Sequence, residues 1–169
     1  MQSEVSLRRS IRLLIITFIF CLVLSGATAF PLDTELSWLQ NRIPNDTSLN
    51  YWLNKVYNAL HETNIKYPFL AYGYDWLAFA HLVIAIAFIG PLKDPMRNIW
   101  VIQFGIIACI MIFPLAFIAG WVRHIPFYWQ LIDCSFGVVG LIPLLYCYKQ
   151  IRILESYYST FDKLTHFTP

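Results

Sequence analysis

Asp133 lies inside a hydrophobic run, Ile125 to Tyr148, whose other residues suit a membrane-spanning helix. An ionisable side chain at membrane depth is expensive, so it is usually paired, hydrated or functional. His81 is expected at a similar depth on another apolar run. Arg123 and His124 precede the helix of Asp133, Asp75 stands at the mouth of the helix of His81, and Gln130 and Ser135 can add hydrogen bonds. A carboxylate beside an imidazole can orient a general base or relay protons. The same pairing also satisfies two groups that would otherwise lack partners. Asp133 can thus be glue with Arg123 or His81, Asp75 can cap the helix that begins at Trp76, and Arg123 can contact lipid headgroups. No residue is assigned a catalytic role.

Metal and cofactor chemistry finds little footing. A bis-histidine haem needs two ligands at matched depth, and His124 sits at a boundary while His81 lies deeper. His81, His124 and Asp133 could give three zinc ligands, but no HExxH or similar spacing supports them. Cys21, Cys109, Cys134 and Cys147 all fall in apolar segments without a CxxC pair, as small buried hydrophobes do. No cofactor and no metal are assigned.

The elements that must position these groups follow from composition. Of 169 residues, 58% are hydrophobic and 13% charged, with a mean hydropathy of +0.56. Ordinary soluble domains carry about 25% charge, so an integral membrane protein is expected. The 17% of aromatic residues suits membrane interfaces. A net charge of +2 without a basic, aromatic-interleaved cluster gives no case for nucleic acid.

The expected fold is all-α: one membrane domain over residues 1–169, a helical bundle with spans at 13–30, 74–91, 99–120 and 127–148 and a tail at 149–169. Residues 31–73 form an external segment. The basic residues Arg8, Arg9, Arg12, Lys93, Arg97, Lys149 and Arg152 flank alternate ends, with Arg123 the one exception. That pattern predicts a plasma or bacterial cytoplasmic membrane protein with both termini cytoplasmic. The first span has a second reading. Basic residues, an apolar run and Ala27-Thr28-Ala29 also fit a signal peptide, which would leave three spans and a mature chain beginning at Phe30.

Within the external segment, Leu49, Trp52, Leu53, Val56, Tyr57 and Leu60 recur on one helical face, predicting an amphipathic helix over 48–62. Asn50, Asn54, Lys55, Asn58 and Glu62 take the other face, and Thr47 or Ser48 can cap the start. A shorter helix is expected over 34–43, the two together capping the outer side. His61 and His166 are expected to face solvent.

Small residues mark the seams. Gln130, Asp133, Gly137 and Gly140 share a face of the fourth span, and Gly105, Cys109, Ala116 and Gly120 make a matching stripe on the third. On the second span Ala78, His81 and Ala85 make another. Pro114 and Pro143 each free a carbonyl within a span. In the loop Pro91 to Asn98, Asp94 or Asn98 can cap the third span.

Asp94-Pro95 with later in-helix prolines resembles, over a few residues, the EXPERA-domain four-helix proteins, which include sterol isomerases and sterol-binding relatives. The acidic residue that family places after its aspartate-proline helix is replaced here by Ala108 and Cys109, so no activity is carried over. Three functions remain. The first is a non-enzymatic accessory, structural or lipid-like-ligand-binding protein, whose partners are the bilayer and another membrane protein or a second copy. The second is an intramembrane enzyme using Asp133 and His81 on a lipidic substrate. The third is a proton- or ion-conducting oligomer lined by Asp133.

Overall fold

The computed structural model describes residues 4–165, with side chains placed through residue 159. Its elements are α1 (Glu4–Ala29), α2 (Leu32–Gln40), α3 (Ser48–Lys66), a 3-10 turn (Pro68–Ala71), α4 (Tyr72–Ala87), α5 (Ile89–Lys93), α6 (Ile99–Val122) and α7 (Phe127–Thr165). No strand occurs among the described residues. Four helical stretches are long and apolar enough to cross a membrane: Glu4–Ala29, Pro68–Lys93, Ile99–Val122 and Phe127–Ser159. Large apolar side chains cover their free faces, Leu115, Ile118, Phe136 and Val139 among them. Soluble monomers rarely leave such patches open.

The chain forms two compact units, residues 20–85 and residues 1–19 with 86–169. In the second of these, α6 and α7 make the most extensive helix pairing. Their register is antiparallel. A Cβ on Gly120 would lie 2.5 Å from the Gln130 side chain, one on Gly137 would lie 2.9 Å from the Cys109 carbonyl oxygen, and one on Gly105 would lie 2.9 Å from Leu144. The expected small-residue stripes therefore do face each other, as close helix approach in membranes requires. The buried line on α7 runs through Gln130, Cys134, Gly137, Leu144, Cys147, Ile151 and Leu154. Asp133 sits on its flank, half-buried, because the line passes through Cys134 instead.

Leu7, Ile11 and Ile15, one face of the start of α1, are fully buried in the same unit. There Glu4 accepts hydrogen bonds from the Arg8 guanidinium and the Tyr158 hydroxyl, and the Arg8 guanidinium also donates to the Tyr158 oxygen at 2.7 Å. The start of α1 is thus tied to the far end of α7. That helix continues without a break from Phe127 through the tail, whose Phe161 side chain and His166 lie outside the description.

The second span is interrupted. Pro91 has no amide hydrogen for the Ala87 carbonyl four residues earlier, so α4 stops there. Phe88 occupies the step, wholly buried, with its ring 4.7 Å from that of Phe18. The loop that follows is closed by side chains. Asp94 accepts from the Arg97 amide at 3.1 Å, while the Asn98 amide donates to the carbonyls of Gly90 and Asp94 at 3.2 and 3.0 Å. Asn98 takes the N-cap position of α6 by backbone alone.

In the unit of residues 20–85, Thr47 caps α3, its hydroxyl oxygen accepting from the Asn50 amide at 3.1 Å. The helix outruns the expected 48–62 by a turn. Leu49, Trp52, Leu53, Val56, Tyr57 and Leu60 are all at least half-buried, whereas Lys55, Asn58 and Glu62 are exposed. Asn50 departs from its expected polar face and is only 2% exposed. Its side-chain amide donates to the carbonyls of Gln40 and Ile43, both at 3.0 Å. Those carbonyls end α2 and begin the loop, so burial of Asn50 satisfies groups that a helix end otherwise leaves unpaired. His61, though exposed as expected, pairs with Asp33 at 3.0 Å. The end of α1 meets α4 where a Cβ on Gly26 would lie 2.8 Å from the Ala78 carbonyl and 3.1 Å from the His81 Cβ.

Candidate functional site

The turn between α6 and α7 carries most of the polar residues singled out in the sequence. The Ile125 amide donates to the Gly120 carbonyl at 2.9 Å and the His124 amide to the Trp121 carbonyl at 3.3 Å. This pair of bonds is the Schellman helix end, which requires a left-handed residue between them. His124 is that residue, with φ of 55°. Glycine is the usual occupant, and a histidine there is under backbone strain. Its side chain and that of Arg123 are exposed.

Gln130 completes the turn. It is 8% exposed, packs against Gly120 and donates its amide to the Ile125 carbonyl at 2.8 Å. The Ser135 hydroxyl donates to the Ile132 carbonyl of its own helix at 2.6 Å. Neither side chain is hydrogen-bonded to Asp133. Among the described residues of its unit, Asp133 accepts no hydrogen bond and forms no ion pair, so the expected Arg123 partnership is not made. Gln130, Ser135 and the backbone of His124 thus serve the hairpin itself.

On α4, His81 has its Nδ1 2.8 Å from the Leu77 carbonyl. With the proton on Nδ1 this is a donated bond to the preceding turn, which leaves Nε2 as an acceptor. His81 and Asp133 belong to different units. Among the described residues no group of three or more His, Cys, Asp or Glu is placed to hold a metal ion.

Asp75 stands at the mouth of the span as expected, but in the first turn of α4, which begins at Tyr72 and not at Trp76. No capping bond from it is formed, and among the described residues of its unit its carboxylate has no partner. It lines an open recess of about 310 Å³ with Phe30, Tyr72, Trp76 and Phe79. Asp75 and Trp76 each stand three or four residues from both Tyr72 and Phe79, so one side of α4 presents the group together. Phe30 closes the side from the end of α1. The Trp76 ring stands at 86° to Tyr72 and 89° to Phe79, with centroids 5.8 Å apart in each pair. The helical spacing was visible in the sequence; the contribution of Phe30 was not.

A second recess, of about 160 Å³, lies between the start of α1 and the α5 loop and gathers Arg8, Arg12 and Lys93 around Pro91 and Pro95. No acidic residue lines it. An anionic headgroup or phosphate is the chemistry such a set accommodates.

No protein-family model matches the chain, and the searches of curated proteins and of solved structures give no match either. The short Asp94-Pro95 likeness to EXPERA-domain proteins therefore has no family match behind it.

Proposed function

We propose that the chain is a small multi-pass integral membrane protein that binds a lipid-like ligand at its outer rim and catalyses no reaction. The observation that carries this reading is the aromatic recess on α4, where a carboxylate that has no partner among the described residues of its unit stands among four exposed rings. Ligand sites are concave, mostly apolar and provided with a few polar groups, and the recess has that composition. The α6–α7 turn, by contrast, uses its polar groups on its own backbone.

Orientation rests on the basic residues. Arg8, Arg12 and Lys93, which flank different spans, share one recess, and Tyr158 of α7 joins Glu4 and Arg8. Cations collect on the cytoplasmic side of membrane proteins, which supports placing both termini there and the first turn of α4 at the outer leaflet. A plasma or bacterial cytoplasmic membrane is the corresponding location. A second copy or another membrane protein is the partner that the apolar helix faces could also accept.

Native mass spectrometry of the full chain released from mild detergent tests the ligand. The expected result is a lipid adduct that survives detergent exchange and falls several-fold in Trp76→Leu. A delipidated protein that takes up no lipid of any headgroup would overturn the reading.

A further inference from the structure

We infer that the recess on α4 selects a quaternary ammonium group, the headgroup of a phosphocholine lipid. This deepens the lipid-binding reading and rests on it. A trimethylammonium group carries a full charge but offers no N–H donor. It is held by the negative faces of aromatic rings and by a carboxylate at a distance, and such aromatic enclosures are a known use of cation–π attraction.

The recess meets each requirement. Trp76, the strongest cation–π partner among the side chains, stands nearly perpendicular to both Tyr72 and Phe79 and so forms a corner instead of a flat stack. Phe30 supplies a further ring from the turn that follows α1, and Asp75 supplies the negative charge. No lysine, arginine or histidine lines the space, so a phosphate or carboxylate entering it would meet only Asp75 and rings. A primary ammonium fares less well than a quaternary one. It needs acceptors for three N–H groups, and the lining offers one carboxylate and one tyrosine hydroxyl. Leaving those donors unpaired in an apolar site is costly.

The occupant is a lipid because of where the recess sits. It lies on the first turns of a stretch, Pro68–Lys93, apolar enough to cross a membrane, and its own walls are exposed rings. A headgroup can enter while its acyl chains stay along α4 in the bilayer and its phosphate remains at the water interface. The volume of about 310 Å³ is at the small end of ligand pockets, about 300–1,000 Å³, enough for a headgroup without its chains.

The full chain, delipidated in detergent, is titrated by native mass spectrometry with phosphatidylcholine and with phosphatidylethanolamine of identical acyl chains. The expected result is roughly tenfold tighter retention of phosphatidylcholine, a ratio that desolvated cation–π contacts can supply. Asp75→Asn and Trp76→Leu should each reduce that ratio toward one, chiefly by weakening phosphatidylcholine. Both side chains are at least partly exposed, and an unchanged thermal midpoint in detergent reports that each variant is folded. Equal retention of the two lipids by the parent chain overturns the headgroup assignment and leaves lipid binding standing. Retention of neither overturns both. Choline chloride binding as tightly as phosphatidylcholine would overturn the lipid as the source of the ammonium group.

Discussion

Along α6 and α7 glycines on each helix meet a backbone oxygen, a thiol or a side chain of the other, and these close the gap between the helices. Along the first turns of α4 the residues are large rings, and a space stays open among them. Polar groups divide the same way. Gln130 at the end of the hairpin is buried and bonded to a carbonyl, whereas Asp75 in the recess has no partner within its unit. A satisfied buried polar group specifies a structure; an unsatisfied one beside an open, ring-lined space is available to something else. The contrast shifts attention from Asp133, which drew notice by its cost, to Asp75, which the sequence offered only as a helix cap.

Gly137→Ala should break the first half of this comparison most severely. Its Cβ would stand 2.9 Å from the Cys109 carbonyl oxygen, and that atom is main chain in the middle of α6, unable to rotate aside. The two helices must separate or shift. Overpacking of this kind costs about 1–3 kcal/mol, and the thermal midpoint of the detergent-solubilised protein should fall accordingly. An unchanged midpoint would mean that α6 and α7 do not approach as closely as their register implies.

His124→Gly acts in the opposite direction at the end of the same hairpin. A non-glycine residue in the left-handed region carries a strain of about 1–2 kcal/mol, and His124 has φ of 55°. Glycine should raise the thermal midpoint, less than Gly137→Ala lowers it. It also removes the imidazole, so unchanged lipid retention in the variant would separate His124 from the ligand. A fall in the midpoint would show that the ring holds the turn through contacts that outweigh its strain.

The hairpin was legible in the sequence because a membrane seam needs small residues at helical spacing, and that requirement is local to each helix. Gly105, Cys109 and Gly120 on one helix, with Gly137 and Gly140 on the other, could be found without knowing their neighbours. Thr47 as the cap of α3 was legible for the same reason, since its partner lies three residues away. Asn50 was not. Its helical position is polar by pattern, yet the carbonyls that bury it belong to the end of α2 and the following loop. The recess was half legible. Tyr72, Asp75, Trp76 and Phe79 share a face by spacing, but interfacial aromatics are common in membrane proteins. Only Phe30, brought from the turn after α1, turns the face into a recess. The step at Phe88 was hidden because the span stays apolar throughout; Pro91 was visible, but its effect falls four residues upstream.

Gly73→Ala makes the smallest change and bears on the second half of the comparison. Gly73 lies in the first turn of α4, between Tyr72 and the rest of the recess-lining residues, and a Cβ there would meet no atom within 4 Å. Alanine should therefore add helix propensity with no steric charge against it, a gain of about 0.5–1 kcal/mol in a helix interior and less so near an end. The thermal midpoint should rise slightly, whereas the same glycine-to-alanine change at Gly137 lowers it. The sign difference is the informative quantity, because the chemistry of the two substitutions is identical and only the surroundings differ. If Gly73→Ala also leaves phosphatidylcholine retention intact, the recess tolerates stiffening of its own helix, as expected of rings already held at near right angles. If retention falls while the midpoint rises, the first turn of α4 has to move for the headgroup to enter.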